Sequence, residues 1–125
     1  MGRSRSFEET VVVRAAGDAF LSTGYEGTSI EELVVATGLH RGSLYQAFAS
    51  KRGLFVSCLR AAVTERPQDA ATTDLLLVAL LELAPRDAEV RELVRDSLTA
   101  AGGTPASLGA RLLERAGLHL SQESR

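Results

Sequence analysis

The chain has 125 residues, with 14 Lys and Arg against 16 Asp and Glu, a net charge of -2 and a hydrophobic fraction of 45%. That composition excludes a strongly basic protein as a global description, and it excludes a disordered one. A single Cys excludes an intrachain disulfide and a Cys-based zinc site. The longest apolar run, Leu75 to Leu81, is far short of the ~20 residues a membrane span needs. The first residues lack the apolar core of a signal peptide. These bounds describe a small cytoplasmic protein with no membrane partner, cofactor or metal.

The averages hide two asymmetries. All six aromatics lie within the first 55 residues: Phe7, Phe20, Tyr25, Tyr45, Phe48 and Phe55. Residues 33–64 contain no acid but carry Arg41, Lys51, Arg52 and Arg60, with His40 beside them. A confined basic segment is a usual footprint of nucleic-acid binding, although a solvated helix face gives the same pattern.

In chain order the periodicity is helical throughout. Ser6 and Glu9 fit a capping box for a first helix over 7–23, with Val12, Ala15, Ala16, Ala19 and Phe20 inward and Gly24 as its left-handed stop. Thr28 and Glu31 fit a second capping box. The helix it opens is short, carries Ile30, Leu33 and Val34 on one face, and ends at Gly38. A third helix over 41–48 turns Leu44, Ala47 and Phe48 inward. Ser50 then caps a fourth, with Leu54, Phe55, Cys58, Leu59 and Ala62 inward. Beyond Pro67 the spacing predicts a nearly all-apolar helix over 70–83. A striped helix follows over 86–101, in which Asp87 stands four before Arg91. The last helix is capped by Thr104, with Pro105 at its first position. Leu108, Leu112, Leu113, Ala116 and Leu120 give this last helix an apolar side. Gly109 and Gly117 would admit a neighbouring backbone, and His119 would sit near its C-terminal end. No segment alternates with the period of a strand.

Two short helices joined by a tight glycine turn between Thr28 and Phe48 form a helix-turn-helix. In that motif one helix crosses the phosphate backbone, and the other lays its N-terminal residues against base edges in the major groove. The exposed side of the third helix would then present Arg41, Gly42, Ser43, Tyr45 and Gln46. Arg41 suits a bidentate guanine contact or a phosphate, and Gly42 lets the backbone come close. Thr28, Ser29, Ser43 and Tyr45 carry hydroxyls suited to phosphate oxygens. Lys51 stands at the N-terminus of the fourth helix, whose N–H groups favour an anion. Arg3 and Arg5 could add a backbone or minor-groove arm. The same helices also fit a small bundle with no DNA role.

The segment Val12–Val63 resembles the DNA-binding domain of the TetR family of bacterial transcriptional regulators. The resemblance is carried by Ala19-Phe20, Gly24 through Ile30, Leu33, Gly38-Leu39, Gly42 through Tyr45, Phe48, Ser50-Lys51 and Leu54-Phe55. It implies an all-α fold: a three-helix DNA-binding domain with a helix-turn-helix, then a helical C-terminal domain that dimerises and usually binds an effector. The implied division is 1–50 for DNA binding and 51–125 for the rest, with a connecting helix over 51–66. The implied function is a homodimeric repressor on a palindromic double-stranded DNA operator. Three departures stand out. His40 replaces the usual Ser or Thr N-cap of the recognition helix, a change that costs about 1 kcal/mol and leaves a phosphate contact as its other use. Ala49 replaces a frequent Pro or Gly, a change given little weight. The C-terminal domain is short, with room for three helices.

An all-apolar helix is normally buried on every side, and 125 residues offer little to enclose it. Leu75, Leu76, Val78, Ala79, Leu80, Leu93, Val94, Leu98, Leu108, Leu112 and Leu120 are therefore expected to form a dimer core, or to line a site for a small lipophilic effector between protomers. Cys58 reads as a buried small hydrophobe. The chain has no GxSxG, phosphate loop, HExxH or Cys/His nucleophile pair, so an enzyme is not expected. A helical protein-interaction module and an effector sensor are the two other readings.

Overall fold

A computed structural model describes the backbone of residues 2–120 and the side chains of residues 8–120. It contains α1 (Gly2–Thr23), α2 (Ile30–Thr37), α3 (Arg41–Phe48), α4 (Lys51–Glu65), α5 (Ala70–Glu82), a 3-10 turn (Ala84–Arg86), α6 (Ala88–Ala101) and α7 (Pro105–Arg115). No strand occurs among the described residues, so the fold is all-α as expected.

Local chemistry accounts for most of the boundaries. Helix α1 starts at Gly2, so Ser6 lies inside it and is not its N-cap. Gly24, at φ 82°, ends it. The N-cap of α2 is Ser29, not Thr28. The Ser29 hydroxyl accepts the N–H of Glu32, and the Glu32 carboxylate accepts the N–H of Ser29, which satisfies two otherwise orphaned donors. At the other end Gly38 takes φ 77°, a left-handed conformation that a side chain disfavours, and this ends α2 before the chain enters α3. Ser50 caps α4 by accepting from Gly53. Gly53 is required there: a Cβ on it would stand 1.9 Å from the Phe48 carbonyl oxygen, where α3 turns into α4.

The core is continuous from α1 to α6. Val12, Ala16 and Phe20 of α1 meet Leu33, Leu44 and Phe48 of the helix-turn-helix, and Leu54, Phe55, Cys58, Leu59 and Ala62 of α4. Phe20, Tyr25 and Phe55 form an aromatic trio with ring centroids 5.1–5.9 Å apart, each pair worth about 0.5–1.5 kcal/mol beyond its buried area. Burial in this core pushes the Cys58 thiol up to about 12, which leaves it an inert hydrophobe.

Helix α5 corrects the largest sequence expectation. Leu75, Leu76, Leu77, Val78 and Ala79 are all buried within one copy of the chain, among α1, α4, α6 and α7. Packing on four sides covers these five residues, while Leu81 of the same helix is 65% exposed. Val94 is buried with them, and Leu80, Leu93 and Leu98 pack against the same core. Leu75, Leu76, Val78, Ala79 and Val94 are thus covered within one chain, whereas Leu80, Leu93 and Leu98 are half-buried.

The C-terminal elements differ from the sequence reading in four further ways. Pro85 lies inside the 3-10 turn, and α6 starts at Ala88, not at Arg86. Asp87 is the α6 N-cap, accepting from Val90, and it pairs with Arg52; Arg91 instead donates to the Ala84 carbonyl. Helix α7 ends at Arg115, and Gly117 turns the chain at φ 76°, which puts His119 and Leu120 beyond the helix. No residue of α7 is buried. Its charged side does the docking: Arg111 forks onto Asp74 of α5 at 2.8 and 2.9 Å, and Arg115 joins at 3.1 Å. The Arg111 guanidinium holds the Asp74 carboxyl below its ordinary range.

Candidate nucleic-acid interface

Helix α3 is pinned by Leu44 and Phe48, both buried, so its remaining residues face outward by helical period. Arg41, Gly42, Ser43, Tyr45 and Gln46 are exposed, as the sequence pattern predicts. Nothing lies within 4 Å of where a Gly42 Cβ would be. His40 occupies the N-cap position but makes no capping hydrogen bond, so the first N–H groups of α3 lack a side-chain acceptor. Ser43 and Gln46 border a shallow groove shared with Glu8, Glu9 and Val12 of α1.

Ser29 is exposed at the start of α2, its oxygen engaged by Glu32 and its hydroxyl hydrogen free to donate. Thr28 is a correction. Its side chain is fully buried, its hydroxyl donates to the Gly24 carbonyl at 2.6 Å, and it lies 2.5 Å from the Thr23 hydroxyl. It fixes the α1–α2 loop and is closed to a phosphate. The side chains of Arg3 and Arg5 lie outside the described residues.

Lys51, half-buried, holds its ammonium 4.6 Å from the centre of the Tyr25 ring and donates to the Thr28 carbonyl at 3.1 Å. A cation over an aromatic face is attracted by the ring, which restricts its position. Tyr25 is raised above its ordinary pKa, chiefly by burial, so the ring remains neutral.

The acid-free stretch 33–64 is not a free basic face once folded. Arg52 forks onto Asp87 at 2.6 and 2.9 Å and reaches Glu89 at 2.8 Å; Arg60 also reaches Glu89. Both cations are tied to α6. The Arg41 guanidinium is paired with the carboxylate of Glu31 on α2. Sequence reasoning missed Glu31. It stands ten residues before Arg41 on another helix, so no periodicity links the two.

Ala49 ends α3 at φ 74°, the one described non-glycine residue in that region. The position matters more than the sequence reading allowed, because the chain reverses there to start α4 two residues later.

Comparison with known proteins bears on this site. Residues 12–58 match the family model described as bacterial regulatory proteins, tetR family. A relative in Bacillus subtilis (strain 168), the uncharacterized HTH-type transcriptional regulator YezE, is 31% identical over 96 residues, covering 77% of this chain and 44% of that protein. The HTH-type transcriptional repressor ComR of Escherichia coli (strain K12) is 40% identical over 58 residues, covering 46% of this chain and 28% of that protein. The chain thus spans less than half the length of these curated relatives. No solved structure matches it.

Proposed function

We propose that this chain, whose residues 12–58 match the tetR family of bacterial regulatory proteins, is a sequence-specific DNA-binding transcriptional regulator, a repressor acting as a homodimer on a palindromic operator. Residues 1–50 read DNA in this proposal, and residues 51–125 carry and pair the readers. The observation that supports it most is the outward face of α3: one cation, two hydroxyls and an amide, none used in packing, on a helix held by Leu44 and Phe48. Arg41, Gly42, Ser43, Tyr45 and Gln46 face the groove. Ser29, His40, Tyr45 and Lys51 contact phosphates, and Arg3 and Arg5 add an arm.

The dimer surface is assigned to α7 and the residues after it. Leu118 and Leu120, 50% and 64% exposed, line one surface with Ala106, Gly109 and Leu113, and Leu112 of α7 is 40% exposed. A two-fold pairing there suits an operator whose half-sites lie ~34–36 Å apart. Repression, rather than activation, is inferred from the similarity to ComR, a transcriptional repressor.

Selection of bound genomic DNA followed by footprinting tests this reading. Arg41→Ala should cost ~1–3 kcal/mol and relax specificity at one position, whereas Lys51→Ala should weaken all sequences alike and flatten the salt dependence by about one ion. Equal binding by both variants and the parent protein would refute the placement.

A further inference from the structure

Glu82 is the last residue of α5, an end of a helix where the backbone dipole disfavours a carboxylate. Its partners lie across the fold. One carboxylate oxygen accepts the backbone N–H of Tyr25 at 3.2 Å, and the other accepts that of Glu26 at 2.8 Å. On the inner side of the same loop the buried Thr28 hydroxyl donates to the Gly24 carbonyl. The loop 24–28 is thus held from two sides, and one of the two holds comes from the C-terminal half of the chain. The Lys51 ammonium depends on this loop for both of its contacts, the Tyr25 ring and the Thr28 carbonyl.

We propose that Glu82 is a positioning residue for DNA binding: by clamping the loop it holds the Lys51 ammonium where a phosphate can meet it. The inference rests on the DNA-binding reading above. An ammonium has three N–H donors. The Thr28 carbonyl takes one, which leaves two for phosphate oxygens, so Lys51 can bind DNA without giving up the contacts that hold it. A free lysine side chain loses rotamer freedom when it settles on a phosphate. Lys51, already seated on the loop, has less of that freedom left to lose. Loosening the loop returns the freedom and weakens the contact. The sign separates this role from plain electrostatics. Removing an acid from a protein that binds a polyanion should raise affinity, whereas removing this clamp should lower it.

The test uses the full chain and genomic fragments selected by the parent protein. Glu82→Gln keeps the size of the side chain and removes its charge, but its NH2 group cannot accept the second backbone N–H. Affinity should fall ~3- to 10-fold, as expected when one long side chain must be immobilised afresh. Lys51→Ala should also bind more weakly than the parent. Adding Glu82→Gln to Lys51→Ala should cost less than ~2-fold more, because the two residues act through one contact. Circular dichroism and thermal melting check that each variant is folded. Glu82→Asp, which keeps the charge and withdraws it by one methylene, gives the same reading should Glu82→Gln be unfolded at the assay temperature. A gain in affinity in Glu82→Gln would overturn the proposal. So would an undiminished loss in the Lys51→Ala background, which would mean that the loop sets the helix-turn-helix as a whole, and so would parent-like affinity in Lys51→Ala alone. Failure of the parent protein to retain any genomic fragment at low salt would instead remove the DNA-binding reading itself.

Discussion

The carboxylate of Glu82, at the end of α5, accepts the backbone N–H of Glu26 at 2.8 Å, and its other oxygen accepts that of Tyr25 at 3.2 Å. A side chain from the C-terminal half thus caps the loop that leads into the helix-turn-helix. The fit is close: a Cβ on Gly24 would come within 2.8 Å of the same carboxylate. Tyr25 in turn carries Lys51 on its ring, so Glu82 is linked through the loop to a residue assigned to phosphate.

Glu82→Ala removes two charge-assisted hydrogen bonds and leaves two N–H groups to water or to nothing. It should destabilise the chain by ~1–3 kcal/mol. Hydrogen exchange at the amides of residues 25 and 26 should rise well above the exchange at Leu33, and DNA affinity should fall even under conditions where the variant is fully folded. Unaltered exchange at those two amides would show that the loop holds itself.

The Arg52–Asp87 pair predicts a direction for acid sensitivity. The Arg52 guanidinium holds the Asp87 carboxyl down at about 2, below the ~3.9 of an unfolded Asp. A depressed folded pKa contributes stability that is present above the unfolded value and is lost as pH falls toward the folded one. Urea melts of the parent protein should therefore weaken between about pH 4 and pH 2. Asp87→Asn, less stable at neutral pH, should lose less across that window. Parallel pH profiles for the two proteins would mean that another carboxylate sets the acid limit.

Ala49→Gly tests the reversal between α3 and α4. A non-glycine residue at φ 74° carries strain of ~1–3 kcal/mol, partly offset by the greater freedom glycine has when unfolded. The substitution should raise stability by about 1 kcal/mol, read as a higher urea midpoint with an unchanged slope. Ala49→Val should lower it. A lower midpoint for the glycine variant would show that the turn is not strained by its Cβ.

Much of the fold was legible because it is local. Seven helices, the glycine stops at Gly24 and Gly38, the caps Ser50 and Thr104, and the inward stripe of α4 all follow from spacing and capping chemistry. The outward set of α3 was legible for the same reason: Leu44 and Phe48 fix the phase of an eight-residue helix, although Ala47, expected inward, is exposed. Two failures bear on the site and the core. Adjacent hydroxyls and acids made the α2 cap ambiguous by one residue, and the choice of Ser29 buried Thr28. Burial of α5 could not be judged from its own pattern, because enclosure depends on where α1, α4, α6 and α7 go.

Local patterning alone set the helices, most of the inward stripes of the N-terminal half and the residues the helix-turn-helix turns outward. These depend on interactions within a few residues along the chain. Only the tertiary structure decided which charges meet. A stretch with no acid of its own receives carboxylates from Glu31, Asp87 and Glu89, and α7 docks by its arginines on Asp74, leaving leucines outside. Several of these ion pairs join residues 35 to 37 positions apart. Charge attraction acts through space and carries no sequence period, so its partners could not be read until the helices had been placed.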